Sequence, residues 1–387
     1  MQILNKEKLR KNVLLTLKND LNNANISGAA VIVAQNGEIL LNERVGYSDK
    51  LNLTPLKENA LFRLASMTKP VTAVAALIGV QNGWFKLDDK VSDYFPEFGN
   101  LYIGRLENGK VVPDRKPKRE VVLQQLLSHN NGFMAGGDGA ELYAIQEDSM
   151  PRSAFESNKT AVDYCLKNTC LTFEPYYNVG YSGYFAFDII GLLIERHSGM
   201  KYADFIKEYI FKPLGITDIT YTPTEEQWRR LVCMSDKVVG RGIVNVDMGK
   251  HTFEGFPLSY TCAGAGLAGS IEDYFKFAEM LRMGGTANGV EIVNSNIFPL
   301  IYKMYVPQEF MPKDCNHSWG LGVRVTNGDP YLPDGSFGWS GAYGTHFWID
   351  RENQITAIYM KNNRWHDSHG GGSTAIQFEK DVMTAME

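Results

Sequence analysis

The chain lacks the long apolar segments that mark membrane and exported proteins. No apolar run in its 387 residues approaches the roughly 18 residues that a membrane span needs. The N-terminus, Met1-Gln2-Ile3-Leu4-Asn5-Lys6-Glu7, has no apolar core of the kind found in export signals. We therefore expect a cytoplasmic protein without a membrane span, although an export signal that had been removed would leave no trace here.

Cysteine and histidine are scarce, and their spacing fits no metal site. The five cysteines are odd in number, and none lies in a C-x-x-C pair or at zinc-ligand spacing. Among the seven histidines there is no H-E-x-x-H pattern; His346 falls in a predicted strand, and His366 and His369 fall in a glycine-rich turn. We expect free thiols, no metal and no cofactor.

The chain also lacks an excess of basic charge. Its formal net charge is −5 and its pI is about 5.9, so it has no electrostatic footprint for nucleic acid or an anionic membrane surface. A short basic cluster at 115–119 is interpreted as part of a solvated loop rather than an anion site. With an ordinary globular composition, 44% hydrophobic, the expected partner is a small molecule.

Strand patterns are concentrated at the two ends of the chain. An amphipathic helix is predicted over residues 5–24, followed by a β-hairpin whose strands flank Asn36-Gly37, a dipeptide suited to a type I′ turn. Near the other end, strands are predicted at 321–325, 345–349 and 355–360, and a helix closes the chain over 373–387.

Between these ends the sequence is mostly helix and loop. Helices are predicted at 121–127, 187–195 and 202–211, and Ser270 is expected to cap a helix over 271–281. The pattern predicts an α+β fold: an antiparallel sheet built from both termini and flanked by helices, with a mostly helical subdomain inserted. We predict a sheet domain at 1–83 and 262–387, a helical subdomain at 84–261, and an active site in the cleft between them.

One stretch combines reactive side chains with a helix start. Phe62-Arg63-Leu64-Ala65-Ser66-Met67-Thr68-Lys69-Pro70 precedes an apolar run, and Pro70 fits only a first helical turn, so Ser66 lies at the positive end of the helix dipole. Lys69, three residues on, shares its face, and an amine beside a hydroxyl can activate a serine nucleophile without histidine. A capping serine beside a solvated lysine is the alternative. A second S-x-x-K at Ser198 follows a helix and carries Gly199, which marks a helix end.

Two further motifs lie where elements are predicted to end. Tyr181-Ser182-Gly183 precedes a helix, and Gly338-Trp339-Ser340-Gly341-Ala342 precedes a strand. Side chains at such ends reach clefts, although Tyr181 and Trp339 alone would also fit core aromatics. No G-x-S-x-G is present, which argues against a Ser-His-Asp hydrolase elbow.

Taken together, these motifs resemble those of the penicillin-recognising serine hydrolases, in the branch of class C β-lactamases and D-alanyl-D-alanine peptidases with its related esterases and acyltransferases. The stretch ending in Lys69 is similar to the nucleophile motif, 126–132 to the Leu-Leu-Thr-His-Thr-Ser-Gly landmark, and 265–267 to the run before the late helix. Tyr181-Ser182-Gly183 stands for Tyr-x-Asn, and Trp339-Ser340-Gly341 for Lys-Thr-Gly or His-x-Gly. The resemblance covers nearly the whole chain and implies a β-lactamase/transpeptidase-like fold.

The resemblance also implies roles. Ser66 would be the nucleophile that forms an acyl-enzyme, Lys69 and Tyr181 would form the base system, and the backbone N–H groups of Ser66 and Ala342 would form the oxyanion hole. The segment Trp339 to Gly341 and Gly183 would bind substrate. Which of Lys69 and Tyr181 takes the proton stays open. His129, in the Leu-Leu-Thr-His-like landmark, is interpreted as a structural residue at a helix end.

Two departures from the family pattern bear on the substrate. Gly183 stands where an Asn amide would contact a substrate amide, and Trp339 where Lys or His would hold a carboxylate. Both losses weaken recognition of penicillins and D-alanyl peptides, and Trp in the third motif resembles the esterase and acyltransferase members. We therefore rank a carboxylesterase or acyltransferase on small esters first, a β-lactamase or D-Ala-D-Ala carboxypeptidase second, and a catalytically silent binding protein third.

Overall fold

The computed structural model describes residues 2–238, 240–364 and 373–387. The α-helices extend over Lys6–Asn22 (α1), Lys69–Gln81 (α2), Val91–Tyr94 (α3), Leu123–Leu127 (α4), Ala140–Asp148 (α5), Asn158–Asn168 (α6), Phe185–Ser198 (α7), Tyr202–Ile206 (α8), Glu225–Arg230 (α9), Ile271–Arg282 (α10) and Ser373–Met383 (α11). The strands extend over Gly28–Gln35 (β1), Glu38–Asp49 (β2), Thr54–Pro55 (β3), Leu61–Arg63 (β4), Ile103–Glu107 (β5), Lys110–Arg115 (β6), Met234–Val238 (β7), Gly242–Val246 (β8), Ala268–Ser270 (β9), Thr286–Ala287 (β10), Val290–Glu291 (β11), His317–Trp319 (β12), Arg324–Thr326 (β13), Phe337–Ser340 (β14), His346–Asp350 (β15) and Ile355–Met360 (β16). Short 3₁₀ or π turns occupy Ala65–Thr68, Pro96–Asn100, Gly137–Gly139, Arg152–Glu156, Lys207–Phe211, Phe298–Tyr302 and Gln308–Phe310.

The largest sheet is antiparallel and joins the two ends of the chain. Its eight strands lie in the order β12-β13-β14-β15-β16-β1-β2-β3. The N-terminal and C-terminal strands meet where β16 pairs with β1, with Ala30 opposite Met360. Every residue of β1 is buried, so this junction lies at the centre of the fold. The predicted α+β fold with an antiparallel sheet built from both termini is confirmed.

Helices cover both faces of this sheet. On one face, α1 and α11 contribute Leu9, Val13 and Phe378 to an apolar cluster that also includes Val31 of β1. On the other face lies a larger core that includes most of α2, α7 and α10. Helix α2 is buried continuously from Lys69 to Gly79, as expected for a helix that is apolar on all sides. The core therefore holds the start of α2 in a fixed position.

Features that depend on a few adjacent residues were mostly predicted correctly. The β1–β2 hairpin is present, and Asn36 and Gly37 have φ values of 52° and 82°, as a type I′ turn requires. Ser270 caps α10, since its hydroxyl accepts a hydrogen bond from the N–H of Asp273 at 3.2 Å. The strand predicted at 321–325 is only partly right. It begins at Arg324, because Gly322, with φ of 65°, turns the chain close to the carbonyl of Lys69.

The segment between β4 and β9 contains small hairpins that the sequence patterns did not predict. The pair β5–β6 lies in the stretch interpreted as a polar loop, with a turn at Asn108-Gly109, and β7–β8 follows later. Two residues of the basic cluster are exposed but bonded to neighbouring segments: Arg115 pairs with Glu174, and the Lys116 amine donates to two backbone carbonyls. The domain boundaries at 83/84 and 261/262 stay a prediction. Over the described ranges, no helix is long and apolar enough to cross a membrane.

Candidate active site

Ser66 lies in a tight turn between a strand and a buried helix. The 3₁₀ turn Ala65–Thr68 connects β4 to α2, and Pro70 occupies the first turn of α2 as predicted. Ala65 has a φ of 45°, in the left-handed region that L side chains rarely adopt, so the chain bends sharply just before Ser66. The Ser66 side chain is nearly buried, with 8% of the residue exposed.

Lys69 is fully buried and bonded through its amine. Its Nζ donates to Ser66 Oγ at 3.2 Å, to the carbonyl of Gly264 at 3.0 Å, and to the carbonyl of Gly183. The amine also lies 4.7 Å from the centre of the Tyr181 ring, a cation–π distance. An ammonium has three N–H donors, and these three oxygens take all of them. The alternative of a solvated first-turn lysine is therefore wrong.

Tyr181 brings a second polar group to Ser66. Its Oη lies 2.7 Å from Ser66 Oγ, and Trp339 Nε1 donates to the same Oη at 3.1 Å. An indole N–H can only donate, so the phenol oxygen is the acceptor of that bond and keeps its own proton for Ser66. The hydroxyl of Tyr181 thus lies at Ser66 and the N–H of Trp339 lies at Tyr181, although both rings also pack against neighbouring aromatics.

His129, which was interpreted as a helix-end residue, lies directly behind Tyr181. The two ring centres are 4.5 Å apart, and Trp319 packs edge-on against His129 at 4.4 Å. His129 Nδ1 accepts the N–H of Ser182 at 3.2 Å. Burial, and then the charge of Lys69, lower the pKa of His129 well below its ordinary value, so its ring is neutral. His129 thereby supports both the ring of Tyr181 and the backbone next to it. Trp319 also packs at this site, but it lies in no sequence motif from which that position could have been predicted.

The third motif approaches the serine through Gly341. A Cβ added to Gly341 would lie 2.3 Å from the carbonyl oxygen of Leu64 and 2.2 Å from Thr345 Oγ1, so only glycine fits there. Ala342 follows and is exposed. The motif therefore runs beside the turn that holds Ser66. The assignment of the Ser66 and Ala342 N–H groups as an oxyanion hole stays a prediction.

Gly183 leaves open space next to the amine of Lys69. A Cβ built on Gly183 would meet only Tyr143 Oη, at 3.8 Å, and its φ lies outside the left-handed region. The backbone there would accept a larger residue. Ser182, its neighbour, is fully buried and its hydroxyl is bonded to the carbonyl of Phe133 at 3.2 Å, so that hydroxyl is not available as a nucleophile.

Asp188, which no sequence motif marked, anchors the segment that holds Lys69. Its carboxyl group accepts the N–H of Ala263 at 2.7 Å and the hydroxyl of Tyr260, and the next residue, Gly264, accepts from Lys69. Burial raises the pKa of Asp188 from 3.8 to about 7, against the lowering effect of these hydrogen bonds and of Lys69. The sequence signal that could have identified Asp188 as a buried polar residue is its position as the only acidic residue in the apolar run 185–194.

The remaining histidine positions bear on the prediction that no metal is bound. His346 is bonded to Ser340 and Glu379. His366 and His369 lie outside the described residues. Among the residues that are described, no group of three or more His, Cys, Asp or Glu side chains is arranged to hold a metal ion.

Comparisons with known proteins found similarity over most of the chain. The family model described as "Beta-lactamase" matches residues 15–375. The chain is similar to Esterase EstB of Burkholderia gladioli, with 26% identity over 90% of this chain and 89% of that protein. It is also similar to Penicillin-binding protein 4* of Bacillus subtilis, with 29% identity over 86% of this chain and 64% of that protein. Among solved structures, EstCE1, "a hydrolase with promiscuous acyltransferase activity", has a TM-score of 0.78 at 20% identity and covers 98% of this chain and 99% of its own.

The raised pKa of Asp188 predicts a specific pH dependence of folding stability. The unfolded chain ionises this group near pH 4, but the native state holds the proton until about pH 7, so stability should fall as pH rises across that window. Asp188→Asn cannot ionise. The quantity to measure is the free energy of unfolding in urea for the variant and for wild type. The difference, variant minus wild type, should rise by on the order of 2–4 kcal/mol between pH 4.5 and pH 8.

The matched control is Asp88→Asn at an exposed position. Its difference from wild type should stay flat with pH. A flat difference for Asp188→Asn as well, or one that moves in the opposite direction, would contradict the account of Asp188.

Proposed function

The chain is a serine hydrolase that belongs to the β-lactamase family, and we propose that it acts on small esters through an acyl-enzyme, as a carboxylesterase or acyltransferase. The observation that carries this proposal is the pair of contacts on Ser66 Oγ, from Tyr181 Oη at 2.7 Å and from Lys69 Nζ at 3.2 Å. A hydroxyl held between two groups that can exchange its proton is equipped to attack an acyl carbon. A catalytically silent binding protein has no use for that arrangement.

In the proposed acylation step, Tyr181 acts as a phenolate. Its own proton, which is directed to Ser66 in the resting enzyme, is first lost to solvent, and the phenolate oxygen then takes the proton of Ser66. As an ammonium, Lys69 donates to three oxygens and has no lone pair left for that proton. Its charge, and the N–H of Trp339, stabilise negative charge on the Tyr181 oxygen. The Ser66 Oγ–carbon bond forms, the bond to the leaving alkoxide breaks, and Tyr181 returns the proton to that alkoxide. Water or an alcohol then releases the acyl group by the reverse path.

The negative charge that develops on the acyl oxygen needs donors of its own. We assign this role to the backbone N–H groups of Ser66 and Ala342. The close contact of Gly341 with the Leu64 carbonyl supports the assignment, because it keeps the two segments side by side. Loss of one such donor costs roughly 3 kcal/mol of transition-state stabilisation in enzymes of this kind.

Two features favour esters over β-lactams. Trp339 stands where the family carries a cation, and its only polar hydrogen is already donated to Tyr181, so it offers nothing to a substrate carboxylate. Gly183 has no side-chain amide that could bond to the amide side chain of a β-lactam substrate. The similarity to EstB, an esterase, and to EstCE1, a hydrolase with acyltransferase activity, supports this ranking. The similarity to Penicillin-binding protein 4* supports a β-lactamase or peptidase as the second candidate.

Because Lys69 and Tyr181 are proposed to act together in the proton transfers, the effects of their substitutions on kcat should be strongly coupled. Lys69→Ala and Tyr181→Phe should each lower kcat for p-nitrophenyl acetate by about 10²-fold or more. The double variant should lose much less than the product of the two, since either change already disables the same unit. Lys201→Ala, in the second S-x-x-K copy at an exposed position, should leave kcat unchanged. Losses that simply multiply would show that the two residues act independently.

The ranking of substrates is tested by the ratio of kcat/KM for nitrocefin to that for p-nitrophenyl acetate. Each missing partner for a charged or amide group is worth on the order of 1–3 kcal/mol, so the wild-type ratio should be about 10⁻² or lower. Ser66→Ala should abolish both activities. Gly183→Asn with Trp339→Lys should raise the ratio, and the open space and ordinary φ at Gly183 permit the Asn. A wild-type ratio near or above one would make β-lactamase the primary function.

A further inference from the structure

Ser340 is the last residue of β14, a strand that contacts the turn Ala65–Thr68, in which Ser66 lies. It follows Trp339, which donates to Tyr181, and it precedes Gly341, which packs on Leu64. Strand β13 pairs with β14 only at Phe337 and Gly338, so in the described residues the outer edge of β14 is unpaired at Ser340. Ser340 is half-buried. The unpaired edge leaves room for a bound molecule to approach this end of β14.

Beneath Ser340 lies a buried chain of hydrogen bonds that the proposed reaction does not use. His346, directly opposite Ser340 on β15, is 3% exposed and places Nδ1 2.8 Å from Ser340 Oγ. Its Nε2 lies 2.9 Å from Oε1 of Glu379 on α11. Glu379, 1% exposed, also pairs with Arg324 of β13. The chain of bonds thus connects Ser340, at the end of β14, to α11.

The ionisation of Glu379 decides the direction of these bonds. Burial acts to raise the pKa of Glu379, but the charge of Arg324 and the bond from His346 outweigh it, and the pKa is lowered. Glu379 is therefore a carboxylate, which can only accept, and His346 Nε2 must donate to it. When the imidazole is neutral it has one N–H, and with that N–H on Nε2 the Nδ1 atom accepts a hydrogen bond from the Ser340 hydroxyl.

We propose that His346, held by Glu379 and Arg324, is a positioning residue that makes Ser340 a hydrogen-bond acceptor toward the substrate. With its proton turned toward His346, Ser340 presents lone pairs to the cleft. The substrate group beside it is then one that donates, such as a hydroxyl or an amide N–H, and a carboxylate is rejected. This inference rests on the proposed function and on the role that the family resemblance implies for the segment Trp339 to Gly341, which is to bind substrate. It agrees with the absence of a cation at Trp339.

The tautomer of His346 can be measured without any activity. In ¹⁵N spectra of histidine-labelled protein at pH 8, assigned with His346→Phe, Nε2 should carry the proton and Nδ1 should have the shift of an unprotonated nitrogen that accepts a hydrogen bond. A proton on Nδ1 would overturn the inference and leave the proposed hydrolase function untouched.

The specificity is tested with phenyl acetates that carry either a carboxylate or a hydroxymethyl group at the 3- or 4-position. Wild type should prefer the hydroxymethyl esters. His346→Phe frees the Ser340 proton, so the ratio of carboxylate to hydroxymethyl kcat/KM should rise about 10-fold, mainly through KM. The rise should be absent when Ser340→Ala is added to His346→Phe. His346→Leu serves as a second variant should the larger ring disturb the sheet.

Three results would overturn the specificity claim. His346→Phe and His346→Leu could lower kcat/KM for every ester alike, which is the signature of a merely structural role. The rise could persist without the Ser340 hydroxyl. Ser340→Ala alone could leave the preference between the two ester classes unchanged. Failure of the proposed function would be seen separately, as ester hydrolysis that survives Ser66→Ala.

Discussion

The arrangement of the site depends on the burial of the Lys69 amine. A buried ammonium is costly unless every N–H finds a partner, and its partners here come from three separate parts of the chain: Ser66, Gly183 and Gly264. The amine therefore fixes the serine, the loop of Tyr181 and the segment before α10 relative to one another. Asp188 reinforces this by holding Ala263, next to Gly264. The same contacts that satisfy the Lys69 ammonium also place it against the hydroxyl of Ser66.

Near the Lys69 amine, contacts between aromatic side chains determine which polar groups the third motif, Trp339 to Gly341, can offer to a substrate. Trp339 donates to Tyr181 and packs on Trp319, and Trp319 packs on His129 behind the Tyr181 ring. At the position where the related family pattern carries a positive charge, this chain has Trp339, whose N–H is donated to Tyr181. The fold is shared with proteins of about 20% identity, such as EstCE1, and so cannot decide the reaction. The choice between ester and β-lactam depends on these individual side chains.

What the sequence could predict was largely what neighbouring residues encode. The Asn36-Gly37 turn, Pro70 in the first helical turn and the Ser270 cap each follow from a few adjacent residues, and the S-x-x-K spacing placed Lys69 on Ser66. The hairpin at Asn108-Gly109 has the same kind of turn signal, but its strands are short and polar, so the sequence pattern there favours a loop. Contacts between distant segments had no local signal. His129 meets Tyr181 across 52 positions, and Trp319 joins them from β12.

The central claim is that Ser66 is the nucleophile that Lys69 and Tyr181 serve. Its most direct test is covalent labelling of the intact protein with a fluorophosphonate, followed by intact-mass measurement and peptide mapping. We expect one adduct per chain, located on Ser66, and none in Ser66→Ala. An adduct on Ser182 or Ser340, or the absence of any adduct while the protein turns over ester, would contradict the account.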